Sequence, residues 1–263
     1  MRKVTKLSAA IGTLVVLGVS VPATAFDVEP QIVDVAGDAN FLNTQGSTDA
    51  EPANGPSTSP ASIDGADIRS IRFHTRYTTA KLRDLDGNVE SVDYRPNALQ
   101  VDITMTGAVK PTFGPSLLFR VQALIAGCET WFQAWVRGSQ AQATDPERAD
   151  IRKLTATCPG GANTVLNGFE YTIDGNVIKM VYPFQAAVFT GAMAGFIQDG
   201  TEISPPAVFT NSASYPHVRT SVNAGTLTAP TIDQTLRMTD FTVGSDVPAD
   251  VICANEPEHP DCA

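Results

Sequence analysis

The chain is poor in the residues from which most active sites are built. It holds three histidines, His74, His217 and His259, and none stands in an H-E-x-x-H pattern. No G-x-S-x-G elbow occurs either, so neither a zinc hydrolase helix nor a serine nucleophile is signalled. Scattered acids such as Asp102, Glu170 and Asp174 have no spacing that identifies a hydrolase pair. No catalytic constellation is predicted. Basic residues are also scarce, 18 against 28 acids over 263 residues. A chain of that sign lacks the basic face that nucleic-acid phosphates demand. Its charge is compatible with binding cations and with solubility in salt.

The four cysteines, Cys128, Cys158, Cys253 and Cys262, contain no C-x-x-C pair. An even count without metal-ligand spacing favours disulfides, and hence an oxidising compartment. Three pairings are open. Proximity favours Cys128–Cys158 and Cys253–Cys262, each loop worth about 3 kcal/mol in the chain-entropy account. Long apolar runs are missing except at the start, where "MRKVTKLSAAIGTLVVLGVSVPATAF" has a basic head (Arg2, Lys3, Lys6) and an apolar middle from Leu7 to Val21. Small residues follow at Ala23 and Ala25. That layout predicts a secretory signal peptide over 1–25, cleaved after Ala25. The competing reading is a membrane anchor, for which an interrupted stretch of about 15 residues is short. With the leader removed, 15 basic residues face 28 acids, a net charge of −13. The expectation is a soluble, secreted, extracellular protein.

What is present is alternation. "IRFHTRY" sets Ile71, Phe73, Thr75 and Tyr77 against Arg72, His74 and Arg76. "ALQVDITMTG" turns Leu99, Val101, Ile103 and Met105 inward, and "LLFRVQALIAG" does so with Leu117, Phe119, Val121, Ala123 and Ile125. Period-two patterns of this kind are half-buried antiparallel strands. Asp174-Gly175-Asn176 predicts a hairpin turn inside "GFEYTIDGNVIKMVYPF". Asp86-Gly87 predicts another, joining the Ile71–Tyr77 strand to the Leu99–Met105 strand. "DLDGNVE" (Asp84, Asp86, Asn88, Glu90) fails the EF-hand spacing and reads as a hairpin tip.

Helical signals are few. "DPERADIRKL" predicts a short helical turn, with Asp145 as N-cap and Pro146 at the first position. The glycines of "PFQAAVFTGAMAGF" reduce it to a loop or a single turn. The fold class expected is all-β: an antiparallel β-sandwich of two sheets, jelly-roll or immunoglobulin-like, with little helix. It spans residues 26–245 with a polar insertion at 43–62. An acidic, disulfide-bearing tail at 246–263 is expected to be extended. No repeat of 20–50 residues is visible.

Two stretches suggest binding. Asp34, Asp38 and Asn40 surround Gly37 in "DVAGDAN". With Asp64 or Asp67 after the insertion, they offer the oxygen ligands that calcium takes. The alternative is that Asp34 and Asp38 cap turns through their own backbone. Trp131 and Trp135, the only tryptophans, share one face of "CETWFQAWVRG", with Phe132 on the other. They form either a platform that stacks on sugar rings or part of the core.

"DVAGD" (Asp34, Gly37, Asp38), a loop, "ADIRSIRF" (Asp67, Ile68) and later "GNVIKMVYPF" together resemble secreted domains of the DOMON-like superfamily, which includes the family 9 carbohydrate-binding modules. The likeness covers about Ile32 to Val222, and the insertion at 43–62 departs from the family's tighter spacing. The function expected is a non-catalytic extracellular module for a glycan or cell-surface component, with calcium steadying the entry turn. Some DOMON domains bind haem through His and Met, but no motif positions His74, Met105 and Met180 for it. The alternative is an extracellular structural or protein-interaction domain without a sugar site.

Overall fold

The computed structural model describes residues 30–33, 67–109, 117–136, 147–205, 217–220, 231–234, 239–245, 247–259 and 262. Twelve strands form among them: β1 (Ile32–Val33), β2 (Ile68–Arg83), β3 (Val89–Met105), β4 (Leu117–Ile125), β5 (Cys128–Val136) and β6 (Arg148–Lys153). They continue as β7 (Val165–Asp174), β8 (Val177–Pro183), β9 (Glu202–Ser204), β10 (His217–Thr220), β11 (Thr231–Gln234) and β12 (Phe241–Thr242). Ten of them make one hydrogen-bonded path, β1-β2-β3-β8-β7-β6-β5-β4-β10-β11, and β9 joins β4 to β12. Every pairing is antiparallel. The all-β class expected from the alternation is the one observed.

Both predicted hairpins form. Asp84 closes the first tip by accepting from the Asp86 and Asn88 backbone N–H groups at 2.9 and 2.7 Å, so this carboxylate is committed to its turn. Gly175, at φ +61°, allows the tight return from β7 to β8.

The sheet turns a corner within β7. Up to Phe169 this strand pairs with β6, and from Glu170 onward with β8. Gly168 sits at φ +96° beside the change, and the register slips between Ala149 and Asp150. A left-handed glycine and a bulge are the usual means of bending a strand. The resulting curl brings inner faces together. Phe132 of β5 meets Phe73 of β2 at 5.8 Å and Tyr182 of β8 at 5.2 Å, and Tyr182 meets Phe169 at 4.8 Å. Phe189, Met193, Phe196 and Ile197 close the core from the loop after β8, whose one ordered element is a 3-10 turn at Gly191–Met193. That matches the expected loop or single turn.

Two local expectations are corrected. The segment Arg148–Lys153 is strand β6, not a helical turn. Its residues alternate, with Ala149, Ile151 and Lys153 inward and Arg148, Asp150 and Arg152 outward, and pairing with β5 and β7 overrides the capping signal. The tail is not extended: Ala249–Asn255 forms helix α1. It docks on the β2–β3 ribbon, where Lys81 Nζ donates to the Asn255 carbonyl at 3.2 Å and Tyr94 Oη to Glu256 at 2.6 Å. The disulfides join Cys128 to Cys158 and Cys253 to Cys262, the pairing proximity favours. Among the described residues no helix is long and apolar enough to cross a membrane.

The inward place of Lys153 has a consequence for stability. Its side chain is fully buried, donating to the Pro159 carbonyl and lying 2.9 Å from Met193 Sδ. Burial lowers the pKa of its ammonium. The folded state therefore binds fewer protons than the unfolded chain, whose lysines titrate near about 10.4. Stability contributed at this position should rise with pH until that value is passed. The wild-type chain should thus gain stability relative to Lys153→Met as pH rises toward about 10.4, checked by paired urea titrations; a constant difference would contradict this.

Candidate functional site

On β5 the residues Thr130, Phe132 and Ala134 are buried on the core side, so Glu129, Trp131, Gln133 and Trp135 stand on the opposite, outer face. Antiparallel register extends each into a row across three strands. Gln122, Trp131 and Arg152 form one row, Arg120, Gln133 and Asp150 the next, and Leu118, Trp135 and Arg148 the third. The two tryptophans are therefore brought to one face, as their spacing requires. Their row-mates are mostly polar.

These rows are bonded to one another. The Trp131 indole N–H donates to Gln122 Oε1 at 2.7 Å. The Arg120 guanidinium lies 3.4 Å from the centre of the Trp131 ring, and Arg152 approaches it at 5.5 Å. With its amide oriented as its neighbours dictate, Gln133 donates to Asp150 Oδ1 at 2.7 Å and accepts from Arg120 Nε at 2.6 Å and Nη2 at 2.9 Å. Arg148 Nε donates to Asp150 Oδ2 at 3.1 Å. Asp150 is 1% exposed. Burial pushes its carboxyl pKa up, while Arg148, Trp135 and Arg120 pull the other way.

A polar network of this density lies on the side of the sheet away from the apolar core. Buried polar groups are costly unless each is bonded, so the arrangement is rigid and specific rather than incidental. Chemically, its accessible parts are the Arg148 guanidinium and the partly covered Trp135 indole, held in place by the buried Asp150, Gln133 and Arg120. That is the equipment for holding a polar ligand. Trp131 is 8% exposed under its arginine, whereas Trp135 and Arg148 are only partly covered, with 42% of the Arg148 side chain exposed. Of the two tryptophans, Trp135 is thus the one with accessible surface.

Sequence reasoning found the two tryptophans and missed Arg120, Gln122, Gln133, Asp150 and the two β6 arginines. The signal for them was the polar half of each alternation, R-x-Q in β4 and R-x-D-x-R in β6.

Of the candidate calcium ligands, Asp67 is buried at the head of β2, 1% exposed, with its backbone carbonyl accepting from Thr106 at 2.8 Å. Asp34, Asp38, Asn40 and Asp64 lie outside the described residues. Among the described residues no three His, Cys, Asp or Glu side chains gather as a metal set. Met105 and Met180 are buried in the core, while His74 stands on the outer face, 2.9 Å from Asp102. Those three cannot meet on one ligand. Asp102 also accepts from Gln100 at 2.7 Å, and Asp174 accepts from Lys179 at 2.9 Å.

The geometry separates the tryptophans energetically. Trp131→Ala should lower unfolding free energy by about 3 kcal/mol, because it empties a packed site and strands Gln122 and Arg120. Trp135→Ala should cost about 1 kcal/mol. Urea unfolding of the two variants measures the order, and a larger loss at Trp135 would reverse this assignment.

Compared with known proteins, the chain matches no family model, no curated protein and no solved structure, so the face is interpreted from its chemistry alone.

Proposed function

We propose that the chain is a secreted, non-catalytic binding module that takes a glycan or another cell-surface component on the outer face of β4, β5 and β6. In this reading the curled sheet works as a two-layer sandwich. One layer supplies the core wall and the other presents the ligand face. The observation that carries it is the pair of partly exposed side chains Trp135 and Arg148 in one row on the side of the sheet opposite the core, with Arg148 held by the buried Asp150 and Gln133 beneath it. Sugars present hydroxyl edges to amides, carboxylates and guanidinium groups, and CH faces to indole rings. Binding sites of this kind rest on a few well-placed polar groups beside aromatic surface. Two disulfides, together with the leader-like first 25 residues, support export.

Calcium belongs to the same proposal. Asp67 supplies a buried carboxylate beside the end of β1, where Val33 lies opposite Ser70. Asp34, Asp38 and Asn40 are the other intended ligands, and the ion would contribute charge compensation and order, not chemistry. A second reading, a structural or protein-interaction domain, is favoured by one observation: Arg120 already occupies a face of Trp131.

Glycan-array binding distinguishes the two readings. Trp135→Ala should lose at least about tenfold in glycan affinity while keeping its fold. Absence of any glycan signal from the wild-type chain would leave the second reading. For calcium, adding a chelator should lower Tm by about 5 °C, and an unchanged melt removes the ion from the proposal.

A further inference from the structure

We propose a second binding site, adjoining the outer face at Arg148: the edge of β7 between Glu170 and Asp174, along which no described strand lies, accepts an extended peptide of alternating basic and apolar residues as an added strand. Three observations converge on it.

The first is pairing. Beyond Phe169 the strand has left β6, so residues 170–174 are bonded to β8 along one edge, and among the described residues no strand lies along the other. The two-residue turn Gly175-Asn176 closes Asp174 opposite Val177. In such a hairpin the flanking pair exchanges both backbone bonds and alternate residues face away. Thr172 and Glu170 therefore bond to β8, while the N–H and C=O groups of Tyr171 and Ile173 face the side on which no described strand lies. Unused strand edges of this kind recruit peptides by β-augmentation.

The second is shape. A shallow, open depression of about 540 Å³ lies against the same edge, lined by Phe169, Tyr171 and Ile173 with Glu147, Arg148 and Glu170 around them. Ile173 is 38% exposed, high for a large apolar residue inside a strand. Residues 169, 171 and 173 share one face, so an added strand would set alternate side chains onto their apolar surface.

The third is charge. Glu147 and Glu170 border the edge, while the charge of Asp174 is offset by Lys179. Arg148 is turned to Asp150, and Lys179 is held by Asp174 at 2.9 Å. Glu147 accepts from the Tyr171 hydroxyl at 3.1 Å, which places its carboxylate at the rim of the depression. An acidic rim around an apolar floor fits basic residues alternating with aliphatic ones. It disfavours a second copy of a chain whose own net charge is −10.

The test uses the full chain and the peptide acetyl-Lys-Val-Lys-Val-Lys-amide, followed by fluorescence anisotropy and by backbone NMR shifts. Saturable binding with shifts at residues 169–174 is expected. Ile173→Pro removes an N–H that no strand among the described residues uses, a place where an edge strand tolerates proline. It should weaken the peptide at least about tenfold with Tm nearly unchanged. The same peptide N-methylated at alternate residues should bind the wild-type chain equally poorly, which keeps the test valid should the proline variant unfold. No saturable binding, or full binding by the N-methylated peptide, overturns the proposal. So does a concentration-dependent dimer that Ile173→Pro dissolves while no peptide binds, because the edge would then belong to a second copy.

Discussion

Phe132 is the residue on which this architecture turns. Its ring meets Phe73 from β2 and Tyr182 from β8, and through them it holds strands from distant parts of the hydrogen-bonded path against β5. A twelve-stranded antiparallel sheet has no intrinsic reason to stop at any particular curvature. Burial of large aromatic side chains supplies that reason, because each removes some 150–250 Å² from water. Once the inner faces are sealed, the opposite face of β4, β5 and β6 is free to carry side chains that no core could use.

That outer face inverts the usual composition of a buried surface. Arg120, Gln122, Gln133 and Asp150 are buried, yet they are joined into one network with an indole at its centre. Such a network adds little to stability compared with apolar replacements of equal volume. Its gain is in geometry: each guanidinium and amide is held in a single orientation. Rigid polar groups on regular strands are what a recognition surface requires, and the proposed glycan role follows from that property. The β7 edge differs in kind. There the recognition elements are backbone groups left over where one strand changes partners.

The strands were legible because their alternation is nearly unbroken. Leu99, Val101, Ile103 and Met105 were assigned inward from spacing, and all four are essentially inaccessible in the fold. Asp-Gly at both hairpin tips needed only local backbone chemistry. In the segment Arg148–Lys153 local signals and tertiary pairing disagree. Asp-Pro ahead of a charged stretch reads as a helix start, but six residues cannot sustain an isolated helix, and flanking strands captured them through both edges. The tail misled in the opposite direction: a proline-bearing acidic stretch looked extended, and contacts with Thr79, Lys81 and Tyr94 gave its helix a surface to rest on.

By itself the sequence determined the all-β class, the strands with strong alternation, both hairpin turns, the cysteine pairing by proximity and the shared face of Trp131 and Trp135. Each depends on residues close together in the chain, where spacing and turn chemistry act directly. Only the tertiary structure decided that this shared face points away from the core, that Arg120 covers Trp131, and that Asp150 and Gln133 complete the network. It also decided where β7 exchanges β6 for β8. These depend on register between strands and on the direction of the curl, and both are set by which distant apolar faces seal against each other.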